Sequence, residues 1–211
     1  KYLDDVLTDI KFSNVAWNDD KGVFYKKNSN KEFFAKDSTY QLYYHKIGDI
    51  QSKDQLVFDT SNTKSNFSFF TKQNKLFIVE TSEDETTKNY YYSTIENESF
   101  QFKNFIKDDK SNLELLNIIN DKFYFSDEKY SWGNISYFDI NNRTENTILI
   151  PQVYSHLLVG ATFLENYIIC KYDNMGKYYM SIHDYTGKFI RKFEAPHNMD
   201  FQIRFYDEKT N

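Results

Sequence analysis

Residues 12–25 read FSNVAWNDDKGVFY, two apolar stretches separated by a short polar run. Aromatic and β-branched side chains favour strands, whereas Asn, Asp and Gly favour the tight turns between them. We therefore interpret this stretch as a β-hairpin whose first strand lies at residues 12–17 and whose second strand begins at Val23.

The hairpin pattern recurs along the chain. Each second strand follows a short polar turn, and the four candidates lie at residues 23–25, 76–79, 123–125 and 167–170. The first strands of the same hairpins lie at residues 12–17, 66–71, 113–119 and 157–164. Successive repeats are about 45 to 53 residues apart, which is close to the period of a β-propeller blade.

Two more strand candidates follow each hairpin. The third strands lie at residues 41–45, 90–93, 135–139 and 178–183, and the fourth at residues 55–58, 100–106, 146–150 and 189–193. Because four strands make one propeller blade, the sequence predicts an all-β fold with four blades and part of a fifth. The predicted units are residues 7–59, 60–106, 107–151 and 152–196, with the start of the next at residues 197–211.

Two features near the unit boundaries bear on this prediction. Pro151 and Pro196 each come shortly after a fourth strand, where a crossing between blades is expected. A helix is the competing interpretation for residues 111–120, because Leu113 and Leu116 are three residues apart and Ser111 could cap the helix. The position of this segment in the repeat favours a strand.

The composition argues against two classes of partner. The 211 residues include 18 Tyr and 20 Phe, so large rings supply most of the apolar area. A net charge of -5, with Lys and Arg interspersed among acidic residues, argues against nucleic acid as a partner. No apolar run approaches the roughly 20 residues of a membrane span, so we expect no membrane partner either.

No residue pattern calls for a metal ion or any other cofactor. The four histidines lack the spacing of a metal site and are expected at strand ends or on the surface: His45, His156, His183 and His197. Adjacent acidic residues at 19–20 and 83–85 are expected in solvated loops, and Cys170 in the core. The tyrosines at 90–92 should alternate between the two faces of a strand.

Three sequence blocks carry a family resemblance. They are F-S-x-x-A-W at residues 12–17, G-x-F-Y at residues 22–25 and Q-L-Y-Y-H-x-x-G at residues 41–48. In this order they resemble the N-terminal half of the prolyl oligopeptidase family of serine peptidases. Residues 49–59 and the H-D-Y-T-G run at 183–187 are also similar to that family.

The resemblance implies a seven-bladed propeller that covers an α/β-hydrolase domain and restricts access to a buried serine nucleophile. The expected partners are that C-terminal hydrolase domain of the same parent chain and the peptide substrates. We expect no catalytic residue in this chain, because none of its six glycines lies in the G-x-S-x-G pattern of a nucleophile elbow. By resemblance, Phe12 lines an apolar substrate subsite; packing between blades is an equally good interpretation.

Some positions depart from the family. Residues 66–71 lack the Trp-Met-Gly signature, and residues 81–86 lack the Arg-Glu-Gly-Cys block, which leaves the substrate preference open. The compartment is also open between cytoplasm and periplasm. The alternative function is a free-standing propeller that binds a protein or glycan partner. In either case, an open ring of blades should self-associate through its exposed strand edges.

Overall fold

Antiparallel strands joined by polar turns make up nearly all the regular structure of the computed structural model. It describes residues 5–8, 10, 13–28, 39–96, 98–110, 113–143, 145–196 and 199–203. Within this part there are sixteen strands, one short 3₁₀ turn at Gln51–Lys53 and no α-helix. None of the described helical structure is long and apolar enough to cross a bilayer.

The strands form four sheets, each with its strands in chain order. Sheet I comprises β1 (Val15–Asn18), β2 (Gly22–Asn28), β3 (Tyr40–Lys46) and β4 (Gln55–Asp59). Sheet II comprises β5 (Asn66–Lys72), β6 (Lys75–Thr81), β7 (Lys88–Thr94) and β8 (Lys103–Asp109). Sheet III comprises β9 (Glu114–Ile119), β10 (Lys122–Ser126), β11 (Ile135–Asp139) and β12 (Thr147–Ile150). Sheet IV comprises β13 (Leu157–Phe163), β14 (Tyr167–Asn174), β15 (Lys177–Asp184) and β16 (Phe189–Glu194).

The hairpin turns explain why the repeat was visible in the sequence. In the β5–β6 turn, Gln73 and Asn74 have φ values of 48° and 56°, and in the β9–β10 turn Asn120 and Asp121 have 48° and 62°. Two successive residues with positive φ give the turn whose twist matches that of paired strands, and Asn and Asp tolerate it. The polar turn residues therefore fix the register of both hairpins.

The chain divides into two compact units, Lys1–Lys110 with sheets I and II and Ser111–Asn211 with sheets III and IV. In the first unit, buried apolar residues from both sheets form one core: Ala16, Phe24, Leu42, Tyr44, Phe67, Phe69, Leu76, Ile78 and Ile95. Lys26 also joins the two sheets, because its Nζ lies 4.3 Å from the Tyr40 ring centre and donates to the carbonyl oxygen of Phe67 at 3.2 Å.

The second unit is built in the same way. Ile168, Cys170 and Tyr172 alternate along β14 and so point to the same face of sheet IV. That face packs against sheet III, where the Tyr124 ring lies 5.1 Å from the ring of Phe163. Burial raises the pKa of the Tyr124 hydroxyl to about 12 and that of the Cys170 thiol to about 12, so both groups keep their protons at neutral pH.

The segment with helix-like spacing is a strand. Residues Glu114–Ile119 form β9 and pair with β10, so the repeat was the better guide than the local spacing. Sheet pairing also buries Ile118, which a helix with Leu113, Leu116 and Ile119 on one face would have exposed. Of the predicted fifth unit, residues 199–203 are described and have no regular secondary structure; the others lie outside the described residues.

The packing of sheet IV on sheet III generates a prediction at Gly187, whose φ is +84° and where an added Cβ would lie 2.1 Å from the carbonyl oxygen of Leu149. Gly176 is a matched control, since its φ is +81° but an added Cβ would meet nothing. Replacing either glycine by Ala strains the backbone. Gly187→Ala should lower the free energy of unfolding by about 1–3 kcal/mol more than Gly176→Ala, because the added Cβ also clashes with the carbonyl of Leu149. Denaturant titration of both variants measures this, and equal losses would contradict the close approach of Gly187 to Leu149.

Candidate functional site

The F-S-x-x-A-W block leads into the first strand of sheet I. Phe12, the predicted substrate-binding residue, lies outside the described residues. The next residue anchors the block, since the hydroxyl of Ser13 donates to the carbonyl of Asn14 at 2.7 Å and accepts the N–H of Lys26 at 2.7 Å. The direction of the chain into β1 is thus fixed against β2.

Strand β1 presents an apolar surface on one side. Ala16 and Asn18 are buried, whereas Val15 and Trp17 are 50% and 54% exposed. The hydroxyl of Thr71 donates to the carbonyl of Trp17 at 2.7 Å, which holds this part of the strand in place. Such an exposed indole on a fixed backbone can stack on an apolar or planar group.

A buried polar network lies on the face of sheet I that also carries Val15 and Trp17. Nδ1 of His45 lies 2.7 Å from Oδ1 of Asp54, and the hydroxyl of Tyr25 donates to Oδ2 of Asp54 at 2.6 Å. The side-chain amide of Gln51 in turn donates to the Tyr25 hydroxyl at 3.2 Å. Burial, and then the hydrogen bond to Asp54, raises the pKa of Tyr25 well above its usual range. Tyr25 therefore stays protonated and continues to donate.

The histidines were expected at strand ends or on the surface. His45 is indeed next to the last residue of its strand, but it is 2% exposed rather than on the surface. His183 is likewise near the end of β15 and 9% exposed, and His156 bonds to the Tyr179 hydroxyl at 2.7 Å. His197 lies outside the described residues. The sequence did not show that Asp54 reaches His45, because β3 and β4 meet only after folding.

Ser181 and His183 have the side-chain groups of a nucleophile and a general base. Oγ of Ser181 lies 2.9 Å from Nε2 of His183, but Nδ1 of His183 lies 3.2 Å from the carbonyl of Gly187 and not from a carboxylate. Both side chains are buried in sheet IV, where a substrate carbonyl cannot reach the hydroxyl. The pair therefore stabilises the turn after β15 and the packing of sheet IV.

The remaining predicted positions have structural environments. Asp19, Asp20 and residues 83–85 are exposed in turns, as expected. Hydrogen bonds from Ser82, and then from Thr86, lower the pKa of Asp84. Tyr90 and Tyr92 are buried while Tyr91 lies on the opposite face, which confirms the alternation. In the part of the chain that is described, no three His, Cys, Asp or Glu residues are placed to hold a metal ion.

Comparisons with known proteins place this geometry among peptidase propellers. The sequence matches the model of one family over residues 1–204, and that family is described as the prolyl oligopeptidase N-terminal β-propeller domain. Two curated prolyl endopeptidases, from Elizabethkingia meningoseptica and Elizabethkingia miricola, are 24% and 25% identical to the chain. Each match covers 93% of this chain but 29% of the endopeptidase.

Solved structures show the same fold. Prolyl oligopeptidase B from Galerina marginata, bound to a 35mer hydrolysis and macrocyclization substrate, superimposes with a TM-score of 0.75 at 15% identity. That match covers 90% of this chain and 28% of the other. Oligopeptidase B from Leishmania major gives a TM-score of 0.64 at 11% identity, over 85% of this chain and 26% of the other. The predicted all-β, partial β-propeller fold is confirmed, and each of the four sheets is a blade.

Proposed function

The chain belongs to the prolyl oligopeptidase N-terminal β-propeller family, and we propose from this membership that it is a non-catalytic segment of a prolyl oligopeptidase-like serine endopeptidase. The observation that carries the proposal is the family match over residues 1–204 in a chain that spans 29% of its curated relatives. In the proposed parent, the Ser, Asp and His of the triad lie in an α/β-hydrolase domain outside this chain. That domain is the principal partner of the propeller.

We propose the blade ranges that the repeat predicted, with one adjustment. The ranges are residues 7–59, 60–106, 107–151 and 152–196, followed by the start of the next blade at residues 197–211. Strand β8 ends at Asp109, so the boundary between the second and third blades is better placed after that residue. Hydrogen bonding within each sheet and apolar packing between sheets support this division.

The proposed role of the propeller is to select substrates by size. Blades whose faces are locked together by large rings, such as Phe24 and Phe67 in the first unit, resist deformation. A rigid propeller over the hydrolase domain admits a flexible Pro-containing peptide and excludes a folded protein. The reaction in the parent is acyl transfer to the serine hydroxyl and then to water.

The parent protein, expressed from the full coding sequence, should hydrolyse a short Pro-containing peptide. It should not cleave the same sequence displayed in a loop of a folded carrier protein, because the carrier cannot pass the propeller. An unrelated protease with an open active site is the control, and it should cut both substrates. Equal cleavage of both by the parent would contradict gating. A parent that lacks G-x-S-x-G and has no peptidase activity would favour the binding-module alternative.

A second prediction concerns Phe12, which we propose lines an apolar subsite for the peptide. Phe12→Ala in the parent should weaken peptide binding by about 1–3 kcal/mol, because the ring would no longer be buried against the substrate. The matched control is Phe189→Ala on β16, which removes a ring that is 55% exposed on the outer strand of its blade. Kinetics and thermal melting are measured for both variants. Unchanged peptide kinetics with lower stability would assign Phe12 to packing.

We also propose that the chain by itself self-associates, because apolar residues at the edges of sheet IV lack cover. Val159 on β13 is 43% exposed and Ile190 on β16 is 47% exposed. In the parent, further blades would cover part of this surface. Light scattering over a concentration series should show association of the isolated chain. A species that stays monomeric at every concentration would contradict it.

A further inference from the structure

We propose that Lys26 is a specificity-determining residue whose ammonium group binds a carboxylate of the peptide substrate. The inference rests on the proposed function, because the ligand belongs to a peptide that the parent would hydrolyse. Lys26 lies on β2, and its side chain points to the same face of sheet I as Phe24. Its Nζ donates to residues of β5, so the ammonium group lies between the first two sheets.

Three segments of the chain meet at Lys26. Its backbone N–H donates to the hydroxyl of Ser13 at 2.7 Å, in the segment that leads into β1. Its Nζ donates to Oδ1 of Asn66 at 3.1 Å and to the carbonyl of Phe67 at 3.2 Å, at the beginning of β5. Ser13 directly follows Phe12, which we propose lines the peptide subsite. Because consecutive Cα atoms are about 3.8 Å apart, a peptide bound against Phe12 would pass close to Lys26.

The surroundings of this ammonium group are neutral. The Tyr40 and Phe67 ring centres lie 4.3 Å and 5.3 Å from Nζ, and the two hydrogen-bond acceptors are an amide oxygen and a backbone carbonyl. Among the described residues, no ion pair includes Lys26, whereas Lys46 and Lys53 each have an acidic partner. Burial lowers the pKa of Lys26, since the ammonium loses water without gaining an anion. A carboxylate from a ligand would supply that anion.

The group also has a donor available for a ligand. A lysine ammonium has three N–H donors, and Asn66 and Phe67 accept two of them. Lys26 is half-buried and Asn66 is exposed, so the group is accessible from the surface. The side chain of Asn66 is held in place, because its Oδ1 also accepts the backbone N–H of Phe67 at 2.8 Å. The ammonium is therefore positioned before a ligand arrives, which reduces the entropic cost of binding.

A carboxylate suits this position better than a neutral amide. A hydrogen bond between an ammonium and a carboxylate is about twice as strong as one between neutral groups. Partial burial between two sheets and two rings strengthens it further, because water screens the charges less. A peptide can provide this group from its C-terminus or from an Asp or Glu side chain. Both sources have the same chemistry, so the experiment has to separate them.

Matched peptides hydrolysed by the parent protein test the inference. One series of Pro-containing peptides carries either Glu or Gln at each position around the Pro, and a second pair ends in a free carboxylate or an amide. At low ionic strength, kcat/KM should be roughly tenfold higher for the acidic member of at least one pair, because a charge-assisted hydrogen bond is gained. A response of the Glu/Gln series identifies a side-chain ligand, and a response of the terminal pair identifies the C-terminus.

The outcomes separate this inference from the proposed function. Equal rates within every pair would overturn the inference and leave the peptidase assignment intact. A parent that hydrolyses none of the peptides would overturn both.

Variants of the parent assign the preference to Lys26. Lys26→Gln should abolish the preference for the acidic peptide, and Lys26→Arg, which keeps the charge, should retain it. Lys27→Gln is the matched control, because Lys27 is the next residue on β2 and points to the opposite face of the sheet. Each ratio compares two peptides on one preparation, so any loss of folded protein cancels. A preference that persists in Lys26→Gln, or that is lost in Lys26→Arg or Lys27→Gln, would overturn the inference.

Discussion

A four-stranded antiparallel sheet has two faces and cannot cover either one by itself, and this constraint organises both units of the chain. In each unit the two sheets meet through large buried rings, such as Phe24 and Phe67 in the first and Tyr124 and Phe163 in the second. Aromatic rings suit this task because each buries a large apolar area with few rotatable bonds. A composition rich in Tyr and Phe is therefore a consequence of the architecture.

The same packing determines what the polar residues can do. Several groups that resemble catalytic components are enclosed within or between sheets, including the Ser181–His183 pair and the Cys170 thiol. Glu80 is a further example, since its carboxylate accepts hydrogen bonds from Ser65 and from Tyr91. Enclosure satisfies these groups with protein donors and acceptors and keeps substrates away from them. These groups stabilise the sheets that enclose them.

The proposed selection of substrates by size depends on close packing of the buried rings between sheets, which resists deformation. Residues 5–8 contact the first blade through hydrogen bonds of Asp5 to Gly48 and of Gln51 to Thr8.

The sequence by itself determined the all-β class, the fourfold grouping of strands and the family, because turn residues and alternating apolar positions act locally and recur with every blade. It also placed β9 correctly once the repeat was weighed against the helix-like spacing of Leu113 and Leu116. Only the tertiary structure decided the environment of His45, since Asp5 and Asp54 reach it from 40 residues before and 9 residues after in the sequence. Contacts between distant segments depend on how sheets and turns are placed in space, and no local pattern of residue types encodes that placement.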